Sequence, residues 1–321
     1  MAIKKVAVLT TGGDAPGMNP AIRSVVRCAI SRDLEVYGVI RGWWGLIRND
    51  MKPMGHHSVS GIINQGGTVL KTARCSEFFT EEGQNKAYEN LKKNNIDAMV
   101  VIGGNGSFKA AHSFFEKYKF PCIGLAASID NDVSGMDNTV GADTAVNTAL
   151  VAIDNIRDTS TSMERIFVVE VMGRDSGFLA LAVALGGGCE EVIIPERQFD
   201  LDKICQDAVN GNIKGKASWI IIVAEGAGKA EDIARKIAEK TGLETRAVVI
   251  GHVQRGGRPT AYSRDWALRL GKAAVDSLLE GRSDMAVGIH SNKVVTVDFE
   301  TAIQKKELHV EELYKLIKIL T

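Results

Sequence analysis

Two short polar runs could do chemistry in this chain of 321 residues: Gly103-Gly104-Asn105-Gly106-Ser107 and Ser128-Ile129-Asp130-Asn131-Asp132. Each follows an apolar, β-prone run, at 98–102 and 122–125, of the kind that forms buried parallel strands. Glycines let backbone N–H groups approach an anion closely. The two carboxylates of the second run supply a base or help to hold a metal. In open α/β sheets, ligands bind beyond the carboxyl ends of the strands. A phosphate cradle facing a carboxylate loop points to phosphoryl transfer.

The elements that position these loops follow from the rest of the pattern. Residues 6–9 read as a strand, and Thr11 to Gly17 as a glycine-rich turn. Asn19 and Pro20 then read as the N-cap and first residue of a helix. That helix puts Arg23 and Arg27, four apart, on one face. After a strand at 34–40, the adjacent Trp43 and Trp44 are either core or a cover for an adenine ring. Arg74 and Cys75 lie in a further polar loop near Gly66-Gly67. Strands at 166–171, 219–224 and 247–250 run into Met172-Gly173-Arg174, Glu225-Gly226 and His252-Val253-Gln254-Arg255. Helical patterns occupy 81–94, 143–158, 179–182, 230–241, 260–279 and 310–320; further strands are read at 192–194 and 294–297. This alternation predicts an α/β fold with one or two mainly parallel sheets. Asp130, Arg174, Glu225, His252 and Arg255 all fall at strand ends beside glycines, which points to one active site rather than to separate caps.

Composition narrows the function classes. The 39 basic and 39 acidic residues cancel, so no global charge attracts nucleic acid or an anionic membrane. No apolar run approaches a membrane span, and the apolar run at 6–9 is too short for a signal peptide. Five scattered cysteines make neither a disulfide framework nor a zinc motif, so a reduced, cytoplasmic setting is expected.

The motifs TGGDAPGMN (from Thr11), GGNGS, SIDND, VEVMGR (from Val169), VAEG (from Val223) and GHVQRGG (from Gly251) occur in one order along almost the whole chain. Together they resemble the bacterial ATP-dependent 6-phosphofructokinase family. The resemblance implies two lobes, each a mainly parallel sheet flanked by helices: residues 1–140 with 254–305 as a larger ATP-binding lobe, and 141–253 with 306–321 as a smaller sugar-phosphate lobe. It implies a homotetramer, and transfer of the γ-phosphoryl group of ATP to fructose 6-phosphate with Mg²⁺. It makes Asp130 the base for the sugar 1-hydroxyl, with Ser128, Arg174 and Arg74 around the transferring group. Gly13, Arg74, Cys75, Gly104, Asn105, Gly106 and Ser107 would line the ATP site. Ser128, Ile129, Asp130, Met172, Gly173, Arg174 and Glu225 would bind the sugar, and His252 and Arg255 its phosphate. Arg165 and Arg246 would reach the same phosphate from a neighbouring subunit. Arg23, Arg27, Arg157, Gly188, Glu190, Lys214 and Lys216 would bind an ADP or phosphoenolpyruvate effector.

The chain also departs from the family pattern. Asn105 stands where an aspartate helps to hold Mg²⁺, leaving Asp132 as the remaining acid near the metal. Ser128 replaces a threonine, Ala126-Ala127 a Pro-Gly pair, and Met163 a histidine. Gly61 and His56 stand where an aspartate and an arginine are common in the effector region. Pyrophosphate-dependent relatives tend to carry an aspartate at the position of Gly106 and a lysine at that of Ala127; both residues here favour ATP. A third reading makes the chain a weakly active regulatory paralogue that senses nucleotides or sugar phosphates, on the strength of Asn105.

Overall fold

The computed structural model describes residues 3–216 and 218–321. In chain order its elements are β1 (Lys5–Thr10), α1 (Met18–Ile30), β2 (Glu35–Val39), α2 (Gly42–Ile47), β3 (Met51–Met54), α3 (Glu81–Lys93), β4 (Ala98–Gly103), α4 (Asn105–Tyr118), β5 (Cys122–Ser128) and β6 (Val140–Gly141). There follow α5 (Ala142–Met163), β7 (Ile166–Val171), α6 (Phe178–Gly186), β8 (Glu191–Ile193), α7 (Leu201–Ile213), β9 (Trp219–Ala224), α8 (Ala230–Thr241) and β10 (Thr245–Val249). The last are α9 (Ala261–Leu279), β11 (Met285–His290), β12 (Lys293–Asp298), α10 (Phe299–Ala302) and α11 (Val310–Leu320). Two compact units emerge: the chain up to Thr144 with Arg255–Lys306, and Ala145–Gln254 with Glu307–Thr321.

The first unit is built on a sheet of order β12-β11-β5-β4-β1-β2-β3, with β6 beside β5. Its middle pairings are parallel; β3 and β12 close the two edges antiparallel. The chain goes from β1 to β2 on one side, then returns to place β4 on the other side of β1. The loops after β1 and β4 therefore leave at a topological switch point, where such sheets bind ligands. One face of the sheet buries Leu9, Met99 and Val101 against Phe78, Phe108, Phe114 and Phe299. Trp43 belongs to this core, stacked on Phe78 with centroids 4.1 Å apart, so it is not available to an adenine ring.

Helix α1 starts one residue before the expected cap. Gly17, at φ 109°, is the N-cap, and a Cβ there would lie 2.4 Å from Val140 Cγ1. Asn19 is inside the helix and buried. Its amide donates to the carbonyls of Gln65 and Gly66 and accepts from Val69 N at 2.7 Å. A polar side chain that looks like a cap is spent instead on ordering a distant loop.

The second unit has a four-stranded parallel sheet, order β10-β7-β9-β8. Alternation along its strands loads both faces. Val169, Val171, Ile220 and Ile222 pack on one side with α5, α6 and Ile317 of α11. Ile166, Val168, Ile221 and Val223 pack on the other against α7 and α8. Among the described residues no helix is long and apolar enough to cross a membrane.

Candidate active site

In the first unit, three loops converge at the switch point. The polar stretch after β4 is not all loop: α4 begins at Asn105, with Gly104 as an extended N-cap and no side chain capping the helix. The reason is steric. A Cβ on Gly103 would lie 2.3 Å from Ser107 Oγ and 2.7 Å from Thr11 O, so the strand turns into the helix without room for a side chain. Ser107 Oγ donates to Thr11 O at 3.1 Å, and Thr72 Oγ1 to Gly12 O at 2.9 Å. Gly13 and Gly104 to Ser107 thus sit together around an uncapped helix N-terminus, a ready anion site. Arg74 is exposed on the neighbouring loop. Cys75 packs at the margin of the core, and burial pushes its thiol pKa up, so it stays a neutral thiol.

The carboxylate loop lies beside this cradle. A Cβ on Gly104 would sit 3.1 Å from Ser128 Cβ and 3.8 Å from Asp132 Oδ1. Ser128 Oγ accepts from Asp130 N at 3.2 Å. It also makes a long contact of 3.5 Å to Asp132 Oδ1. Asp130 is 4% exposed, Ile129 is buried, and Asp132 is half-buried. Asn105 donates from Nδ2 to Ile303 O at 3.2 Å, which turns its Oδ1 into the hard oxygen left for a cation. Asn105 Oδ1, the Asp132 carboxylate and Ser128 Oγ are all oxygen donors, a set suited to a hard divalent ion.

Three residues that sequence reasoning passed over hold these loops. Asn131, fully buried at φ 51°, donates to Asp137 O at 2.8 Å and accepts from Thr139 N at 3.0 Å. Thr139 Oγ1 donates to Ser128 O at 2.6 Å. Lys306 donates from Nζ to the same Asp137 carbonyl at 3.1 Å, and burial pulls its pKa down to about 8. Asn131 stands inside the SIDND motif, but its side chain holds backbone groups, a role that no sequence pattern shows. Lys306 had no signal at all.

Arg255 belongs to the first unit and stands over the first glycine loop. Its Nη1 donates to Asp14 O at 3.1 Å, and a Cβ on Gly13 would lie 2.4 Å from that nitrogen.

In the second unit, the ends of β7 and β9 join. Gln254, fully buried, accepts from Met172 N at 2.8 Å and fixes the Met172-Gly173-Arg174 turn. Glu225 Oε1 accepts from Arg174 N at 2.9 Å, and Arg174, at φ 52°, is exposed. His252 is exposed on a single tight turn, Gly251–Arg255. Arg165 and Arg246 are brought together by one carboxylate. Glu244 lies 2.9 Å from Arg165 Nε and 2.5 Å from Arg246 Nη2, and Arg165 foremost holds its pKa below the usual range.

The expected effector residues fall in both units. Arg23, on α1, donates to Val59 O at 2.6 Å, and Arg27 is exposed on the same helix. In the second unit, Arg157 donates to the carbonyls of Gly187 and Gly188, and Glu190 pairs with Lys216 at 3.1 Å. Glu190, Lys214, Lys216, Trp219 and Lys318 line a cavity of about 470 Å³. Trp219 and Lys318 were not expected there.

An uncapped, glycine-led helix at the switch point of a parallel sheet, packed on a loop with a buried carboxylate, has the parts that phosphoryl transfer requires. A sequence profile described as Phosphofructokinase matches residues 5–278. The chain is 50% identical to the ATP-dependent 6-phosphofructokinase of Halalkalibacterium halodurans, over 99% of this chain and 100% of that one. It is 49% identical to the enzyme of the same name from Clostridium novyi, over the same shares. Among solved structures, phosphofructokinase from Saccharomyces cerevisiae superposes with a TM-score of 0.91 at 35% identity, over 98% of this chain and 50% of that one. A pyrophosphate-dependent phosphofructokinase from Marinobacter aquaeolei superposes with a TM-score of 0.85 over 96% of this chain and 86% of that one; at 21% identity it shares the fold alone. The chain belongs to the phosphofructokinase family. It is an enzyme of the kinase class, and members of that class generally need a divalent metal.

Proposed function

We propose that this enzyme transfers the γ-phosphoryl group of ATP to the 1-hydroxyl of fructose 6-phosphate, the glycolytic reaction that gives fructose 1,6-bisphosphate. The observation that carries this reading is the contact of the Gly104 helix start with Ser128 and Asp132. It sets a polyphosphate site against a buried carboxylate. The first N–H groups of α4 and the Arg74 guanidinium bind the polyphosphate. Asp130 takes the hydroxyl proton as the sugar oxygen attacks phosphorus in line. Ser128 and the Asn131–Thr139 clamp orient Asp130. Arg174 is the candidate to neutralise the transferring group, and Glu225 accepts hydrogen bonds from sugar hydroxyls. His252, Arg255 and the Arg165–Arg246 pair are the candidates for the sugar phosphate. Mg²⁺, held by Asn105 and Asp132, would supply charge neutralisation at the β- and γ-oxygens.

ATP is favoured over pyrophosphate by one observation in particular. A Cβ on Gly106 would have no atom within 4 Å, so the helix start is open where ADP must fit. We further place the chain as a cytoplasmic homotetramer with ADP or phosphoenolpyruvate as effector at Arg23, Arg27, Arg157, Glu190, Lys214 and Lys216. The cavity beside Glu190 supports the second-unit part of that site. A coupled assay with ATP or pyrophosphate against fructose 6-phosphate tests the reaction and the donor. Asp130→Ser should lower kcat by ~10²–10⁴ with ATP binding intact. Near-normal turnover in that variant would remove Asp130 as the base.

A further inference from the structure

Lys306 is the last residue of the first unit before the chain enters the second. Its setting, Gln304-Lys305-Lys306-Glu307, reads as a solvated surface run. The structure singles it out: Lys305 and Glu307 are exposed, whereas Lys306 is half-buried with its ammonium on the Asp137 carbonyl at 3.1 Å. The same oxygen accepts from Asn131, the residue between Asp130 and Asp132, at 2.8 Å. One carbonyl is thus the shared anchor of Lys306 and the carboxylate loop. The acids that act on the ammonium are Asp137 and Asp132. Asp137 is already engaged, by His290 Nδ1 at 2.8 Å and Ser291 N at 2.6 Å. Asp132 is the acid that faces the Gly104 helix start.

We propose that Lys306 is a positioning residue for phosphoryl transfer that also sets the metal affinity of the site: its positive charge offsets the negative charge of Asp132. This rests on the functional reading above. With Asn105 contributing no charge, Asp132 is the remaining acid of the proposed metal set, and Lys306 cancels part of its charge. The negative charge that Asn105 and Asp132 together offer the metal is then reduced. The cation must be carried in by the nucleotide's oxygens rather than wait on the protein.

The test compares Lys306→Gln, which removes the charge and keeps a hydrogen-bond donor, with Lys306→Met and Lys306→Arg. Binding of Mn²⁺ to the full-length protein at saturating ADP is read by water-proton relaxation, which reports protein-bound Mn²⁺. Both neutral variants should bind Mn²⁺ about three- to tenfold more tightly, and Lys306→Arg should match wild type. Lys306→Met should also lower kcat more than Lys306→Gln, with KM for fructose 6-phosphate little changed. Unchanged Mn²⁺ affinity in the neutral variants, even with lower kcat, makes Lys306 a structural anchor only and overturns the proposal. A rise confined to Lys306→Met overturns it too, because the charge would not be the cause. Should one neutral variant not fold, the other still gives the comparison. Wild type that binds Mn²⁺ with ADP yet shows no turnover would overturn the functional reading instead, and the Mn²⁺ comparison would still decide the role of Lys306.

Discussion

Asn105 concentrates the chemistry at the residue scale. Its Nδ2 is tied to Ile303 O, so a carboxylate at this position would lose a donor and face a carbonyl. Asn105→Asp should therefore cost stability, on the order of 1 kcal/mol, while shifting the Mg²⁺ titration of the rate to lower concentration. Identical Mg²⁺ curves for the two proteins would place residue 105 away from the metal. Lys306 gives a pH test. Burial lowers its pKa from 10.5 to about 8, against the raising pull of Asp137 and Asp132, so folding disfavours the charged form. The unfolded chain then binds more protons between about pH 8 and 10.5, and stability rises with pH across that window. Below about pH 8 the cost is fully present. Wild type should gain in Tm relative to Lys306→Met from pH 7.5 to 10, by about 1–3 °C; a constant difference would count against it. Asp130, Arg174 and Glu225 were legible in the sequence because charge at a strand end is conspicuous. Gln254 and Asn131 were not, because their work is to satisfy backbone groups. For Gln254 the partner, Met172, is 82 residues away, a pairing that no local pattern carries.

At the scale of elements, the buried strands and the long helices were readable from periodicity. The short edges were not. β3 is four residues with Pro53 inside it, tolerated because it pairs only with β2 at the border of the sheet. β11 carries Gly288 in its interior and is defined mainly by its neighbours β5 and β12. The start of α4 was read as loop because glycines disfavour helix, yet close approach to Ser107 and Thr11 demands a glycine only at Gly103, the end of β4, and Gly106 meets open space. That helix start gives an experiment with opposed signs. Gly106→Asp would put an acid in the first turn, where it interacts favourably with the helix dipole, by about 0.5 kcal/mol. The same charge would repel the nucleotide phosphates. The expected outcome is a slightly higher Tm with KM for ATP raised about tenfold or more. An unchanged KM would mean that ATP phosphates do not lie at this helix.

At the scale of the whole molecule, the regulatory reading depends on residues from both units, with Arg27 on α1 and Lys214 and Lys216 beside β9. Arg27→Ala should reduce the response of the rate to ADP or phosphoenolpyruvate several-fold, with little change in kcat at saturating substrate. An unaltered response would put the effector elsewhere. The first unit's sheet is also discontinuous in sequence: β5 lies between β4 and β11, and β11 lies 157 residues beyond the end of β5 (285 − 128). The second unit's sheet is contiguous, with all four strands between Ile166 and Val249. On the ribosome, therefore, β7 to β10 can pair while β5 still presents an open edge. Nascent chains accordingly pass through a stage in which the second unit's sheet is paired, still without α11, before the first unit's sheet is complete. Chains arrested after α9 should yield a protease-resistant core from the second unit and cleavage around β5, and full-length chains should not.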